Sequence, residues 1–267
     1  MSYLHYFKLR FITNLQYRAA ALAGIATQFF FGMIFILVYY AFYKSNPNST
    51  LPMNWNNLVT YMWLQQAFYA LIYPYEKDLE LLNMIKDGNL AYEILRPQNL
   101  FIKFYVKMIA KKTVSSLLRC FPVIIIGFSL PKVFRLSLPL SINNFILFLI
   151  ALVISCLLVS VLTVIVHIFT MFTIDSKGII SMYSVIAEVF SGGTIPIPFF
   201  PEFLKKIAYI LPFRYICDLP FRIYSGDIVI NESITLLFSA LIWIVALIVL
   251  GLLVTKLALK KAVIQGG

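Results

Sequence analysis

The stretch Ser191–Lys206, SGGTIPIPFFPEFLKK, breaks a long apolar run with two adjacent glycines and three prolines before any charge arrives. Gly192 and Gly193 permit close backbone approach or a φ that other residues avoid. Pro196, Pro198 and Pro201 remove backbone donors and prevent a helix from continuing. Irregular backbone at membrane depth is tolerated only where it is buried in protein or lines a cavity. The break therefore poses the question of what covers it and what it is for.

Around this stretch the composition is that of a membrane protein. Of 267 residues, 61% are hydrophobic and only 12% charged, and the mean hydropathy is +0.88, whereas globular domains carry about a quarter charged residues. Ala19–Tyr43, Ser45–Tyr75, Leu136–Val166 and Ser233–Thr255 contain no Asp, Glu, Lys, Arg or His, and a membrane-crossing helix needs about 20 apolar residues. The expected fold is an all-α integral membrane protein forming one transmembrane domain, 1–267, without a separate soluble domain.

A coarse pass gives six transmembrane helices, 19–43, 57–75, 101–128, 143–172, 179–195 and 235–258. Before them, residues 1–18 read as an interfacial helix rather than a cleavable signal. Tyr3, Phe7, Phe11 and Leu15 recur at i+4, while Lys8, Arg10 and Arg18 reach for headgroups; an ordinary basic flank of the first span is the alternative. In the third helix Lys103, Lys107 and Lys111 form one stripe, expected to snorkel at an interface. With both termini cytoplasmic, fourteen Lys and Arg fall on inner segments and seven on outer ones, the orientation favoured by the positive-inside rule. The net charge of +11 then reflects topology and anionic lipid, and no nucleic-acid partner is called for.

That orientation makes 76–100 the longest cytoplasmic loop. Leu79, Leu82 and Ile85, then Leu90 and Ile94, repeat at helical spacing around a turn at Asp87-Gly88-Asn89, and Pro97 ends the pattern. Two short amphipathic helices fit, with an apolar stripe that bilayer or another protein must cover.

Two motifs resemble the permease subunits of type-2 ABC exporters, in the six-span bacterial branch working in paired sets. One is IKDGNLAYEILRP, Ile85–Pro97, similar to the family's cytoplasmic loop between spans two and three. The other is FSGGTIPIPFFPEFLKKIAYILPFRYICDLPFRIYSGD, Phe190–Asp227, similar to its broken fifth span and outer return. The resemblance implies an extracellular re-entrant hairpin over 191–227, with Glu188, Gly192, Gly193, Pro196, Pro198, Phe199, Phe200 and Pro201 along a path or gate between two subunits. A kinked span followed by a surface helix without a gating role is the structural alternative. It also implies that Ile85–Pro97 is the coupling element seated in a cleft of an ATPase. Asp87, Gly88 and Asn89 form its turn, Leu90 and Tyr92 its buried anchors, and Lys86, Glu93 and Arg96 its polar rim. Asp175 and Lys177, in the short inner loop, are a second candidate contact or simply a tight polar turn.

No G-x-x-x-x-G-K-[ST] loop occurs, so ATP and Mg belong to a separate ABC ATPase, expected in two copies beside a second permease, identical or homologous. The resemblance implies a bacterial cytoplasmic membrane and a hydrophobic or amphipathic cargo such as a drug, peptide or lipid, with no cofactor in this chain. An ATP-independent secondary transporter or channel is the alternative, though no inverted repeat is evident. An enzyme is disfavoured: two histidines, three scattered cysteines and no metal spacing leave no catalytic or metal set. Glu188 stands about nine residues into the fifth span, where an ionisable group faces a partner or a wet cavity. Arg119 and His167 are weaker candidates of the same kind, His167 reading more readily as a hydrogen-bonded packing residue near the inner leaflet.

Overall fold

The computed structural model describes residues 3–16, 18–46, 51–74, 76–87, 89, 92–93, 95, 98–173 and 176–261. It is 81% helix, with no strand among the described residues. In chain order the helices are α1 (Tyr3–Asn14), α2 (Arg18–Ser45), α3 (Trp55–Ala67), α4 (Tyr69–Ile72), α5 (Leu79–Lys86), α6 (Leu100–Ser129), α7 (Ile142–Phe169), α8 (Ser176–Phe190), α9 (Glu202–Ile210), α10 (Asp218–Ser225) and α11 (Ile230–Lys261). Among the described residues, three helices are long and apolar enough to cross a membrane: Leu22–Ser45, Ile142–Phe172 and Ile230–Lys260. They coincide with the first, fourth and sixth expected spans.

Local chemistry sets the boundaries. Asn54, Asp78, Asn99 and Ser141 cap α3, α5, α6 and α7 by accepting the amides of Asn57, Leu81, Ile102 and Asn144, the usual way an orphan N–H is satisfied. X-Pro steps end helices, because the residue before proline is forced out of the helical region. Tyr73 before Pro74, Phe200 before Pro201 and Leu211 before Pro212 are all extended. The second expected span, 57–75, is accordingly shorter: it is divided at Phe68 and stops at Ile72. The fifth stops at Phe190 rather than 195. α6 runs for 30 residues, straight through Pro122.

α6 and α7 form the centre. α7 packs against α11, α10 and α6, and α6 receives α1, α2 and α3. Trp63, Tyr61, Phe101, Phe104 and Phe221 are fully enclosed there. The outward faces of α2, α8 and α11 stay apolar, through Phe30, Ile34, Met182, Val185, Ile242 and Val245. Lipid is as apolar as such side chains, so this exposure is what a bilayer requires.

α1 forms as expected but faces differently. Tyr6 is its buried residue, while Leu4, Leu9 and Ile12 are exposed. Arg10 turns inward, its Nε donating to Tyr6 Oη at 3.0 Å and its Nη2 to Glu80 at 2.7 Å. A carboxylate from α5 recruits it away from the headgroups.

Candidate functional site

The segment between α4 and α6 is fastened to α6 by charge. Lys103 pairs with Glu93; Lys107 lies 2.7 Å from both Asp78 and Glu80; Lys111 and Lys112 hold Glu76 at 2.8 and 3.3 Å. Lys112 is fully enclosed and also donates to the Tyr73 carbonyl at 2.8 Å. The expected snorkelling stripe is thus corrected: these lysines face protein, because a chain reversal brings four loop carboxylates against them. Burial pushes the Glu76 carboxyl up, but Lys112 and Lys111 outweigh it and hold it below the usual carboxylate range. Glu80 is lowered likewise, by Lys107 and Arg10 against its own burial. Removing one partner from a buried pair leaves an uncompensated charge and costs about 3–5 kcal/mol.

The expected coupling residues divide. Lys86 and Asp87 close α5, and Asn89 is exposed beyond it. Tyr92 is 71% exposed and Leu95 82%, two large apolar groups presented outward on a fastened loop. Glu93 departs from its expected place on a polar rim, being buried against Lys103. Gly88, Leu90, Arg96 and Asp175 lie outside the described residues. Lys177 begins α8.

At the break, α8 has 15 residues, a rise of about 22 Å, short of the roughly 30 Å of hydrocarbon. Its end is received by α3. Tyr61 Oη donates to the Gly192 carbonyl at 2.9 Å, and Gln65 Nε2 donates to that of Gly193. Gly192 has φ +82°, and a Cβ there would stand 2.6 Å from Tyr61 Oη. This position therefore demands glycine on both conformational and steric grounds. Pro196, Ile197, Pro198, Phe199 and Phe200 form a short 3-10 turn in which Ile197 and Pro198 are buried, and the Phe199 ring meets Tyr39 tilted at 52° with centroids 5.5 Å apart. Pro201 then starts α9. Asp218, at the start of α10, closes the loop: its amide donates to the Ser191 carbonyl at 3.0 Å, and its Oδ1 accepts from the Ile197 amide at 3.3 Å. Arg222 bridges Asp218 and Asp227 at 3.3 and 2.6 Å. Tyr61, Gln65 and Asp218 were not singled out in the sequence; an uncharged Tyr-x-x-x-Gln at i, i+4 on an apolar helix was the available signal.

Glu188 lies in the last turn of α8, half-buried, beside Gln65 and Tyr69. Arg119 sits elsewhere, against Gly24 of α2, where a Cβ would meet its Cζ at 3.0 Å. His167 is a packing residue: buried, it approaches the Thr163 carbonyl with Nδ1 at 2.7 Å and accepts the Asp78 amide on Nε2 at 3.0 Å. A separate apolar cavity of about 910 Å³ between α6 and α7 is bordered by Phe121, Phe145 and Leu149 and reaches the 191–227 segment at Tyr224.

No curated protein matches the chain. A family model described as ABC-2 family transporter protein matches residues 21–266. That family comprises membrane components of transporters which associate with an ABC ATPase and are not themselves catalytic. With a match over nearly its whole length, an all-helical architecture and apolar helices of spanning length, the chain belongs to the ABC-2 family of transporter permeases.

Proposed function

We propose that the chain is the transmembrane subunit of an ATP-driven exporter in a bacterial cytoplasmic membrane, with six spans and both termini inside. It works beside a second permease and two copies of a separate ATPase. α2, α3 with α4, α6, α7, α8 and α11 supply the spans, and 191–227 forms an outer re-entrant closure over a path for hydrophobic or amphipathic molecules, drugs included.

The observation that carries this reading is the ionic fastening of the loop. Asp78, Glu80, Glu76 and Glu93 tie it to the buried lysines of α6, so a push on exposed Tyr92 and Leu95 moves α6 rather than bending the loop. ATP binding shifts the inward and outward arrangements only by its differential affinity for them. The proposed ATPase grips this loop more tightly in one arrangement. α6 then transmits the displacement to α3, whose Tyr61 and Gln65 hold the outer closure.

The test is purification of the tagged chain from its host in mild detergent, with mass identification of co-purifying proteins and an ATPase assay. An ATPase whose hydrolysis in the complex is altered by Tyr92→Ala supports the reading. A chain that purifies alone and moves solute in liposomes without ATP overturns it.

A further inference from the structure

Where α3 meets the end of α8, a buried acceptor is left without a donor among the described residues. Gln65 is 2% exposed; its Nε2 is committed to the Gly193 carbonyl, which leaves Oε1 as an acceptor with no partner among the described residues. Glu188 shares the same small cavity and forms no ion pair among the described residues. Its side chain runs beside the same junction, since a Cβ at Gly193 would meet Glu188 Cγ at 3.5 Å. Tyr69 and Tyr73 complete the wall, their rings stacked at 4.7 Å. An unpaired carboxylate within a membrane helix calls for a partner, and tyrosine faces attract cations.

From this convergence of Glu188, the spare Gln65 oxygen and the tyrosine pair, we infer that the cavity binds the protonated amine head of an amphipathic primary amine. The inference rests on the transport reading above and names its cargo class. Three N–H donors of an ammonium match three acceptors, a Glu188 oxygen, Gln65 Oε1 and the Tyr69 hydroxyl. The cavity volume of about 10 Å³ is that of roughly one water, a size suited to –NH3+ and too small for a trimethylammonium. A hard metal ion would require about six oxygen ligands. The apolar tail leaves along the exposed face of α8 at Val185 and Val189.

The test measures displaceable binding of radiolabelled dodecylamine to the permease in phosphatidylcholine nanodiscs. Expected is competition by unlabelled dodecylamine but not by dodecanol or dodecyltrimethylammonium, with affinity lowered about ten-fold or more in Glu188→Gln and in Gln65→Leu. Glu188→Asp should recover part of it. Thermal unfolding of each variant separates lost binding from lost fold, and Gln65→Leu decides alone should Glu188→Gln not fold. Unchanged affinity in folded variants overturns the inference, as does equal competition by dodecanol, which marks a purely apolar site. Displacement by sodium chloride, which marks an inorganic cation, overturns it too. Binding is read on the permease itself, so a missing ATPase sinks the transport reading without touching this result. An active ATPase complex that binds no amine sinks only this inference.

Discussion

Tyr61 and Gly192 are joined by a 2.9 Å hydrogen bond, from the phenol of one helix to the chain just beyond the end of another. The bond satisfies a buried carbonyl that lies beyond the helix and so has no intrahelical partner. Tyr61→Phe should therefore lower stability by about 1–3 kcal/mol, because it leaves a buried acceptor unpaired. Thermal unfolding in detergent measures this; a midpoint within error of the parent would remove the bond from any role in holding the closure.

Gly192→Ala tests the same junction from the other side. A left-handed φ of +82° and a Cβ 2.6 Å from Tyr61 Oη add conformational strain of about 1–2 kcal/mol to a steric clash. Combining it with Tyr61→Phe, which removes the clashing oxygen, should cost less than the sum of the two. Strict additivity would show that the two residues do not meet.

Lys107 and Asp78, 2.7 Å apart and both buried, give a sharper case. Lys107→Met alone should destabilise by about 3–5 kcal/mol, and Lys107→Met with Asp78→Asn by much less. A double-mutant cycle on the unfolding midpoint reads the coupling, and a coupling near zero would mean that the pair does not fasten the loop.

Acid should release that loop. Glu76 and Glu80 are held below the ordinary carboxylate value of 4.5. A depressed carboxylate contributes its full stabilisation above its unfolded pKa, and the contribution is lost as pH falls through the lowered folded value. Hydrogen exchange of α5, corrected for intrinsic rates, should be slow at neutral pH and accelerate below about pH 4.5. Equal protection on both sides of that value contradicts an ionic fastening.

Tyr92→Ala should behave oppositely to these buried changes. The side chain is 71% exposed, so its loss should shift stability by no more than about 0.5 kcal/mol, while association with the ATPase weakens as expected for a truncated aromatic anchor. Retained association at normal stoichiometry would move the docking surface elsewhere.

Much of this architecture was legible in the linear chain. A long uncharged apolar run forms a helix wherever lipid or protein surrounds it, because its backbone must satisfy itself. That rule located the three described helices of spanning length, whereas the fifth expected span ends at Phe190, five residues before its first X-Pro step. Glycine at position 192 also announced itself, although the oxygen that excludes a Cβ there lies 131 positions away. The charges were misjudged for a definite reason. Lys103, Lys107 and Lys111 show helical spacing whether they face headgroups or carboxylates, and only the reversal between α5 and α6 puts Glu93, Asp78, Glu80 and Glu76 beside them. Glu188 likewise stood out as an intramembrane carboxylate, but its company did not.

By itself, then, the sequence determined that this is an all-helical membrane protein whose apolar run is interrupted after Phe190, because hydropathy and proline chemistry act locally along the chain. The tertiary structure decided which charges cancel and which remain open. It buried Lys103, Lys107 and Lys112 against the loop and set Glu188 and Gln65 in the wall of one small cavity, since electrostatic partnership depends on distances that only helix packing sets.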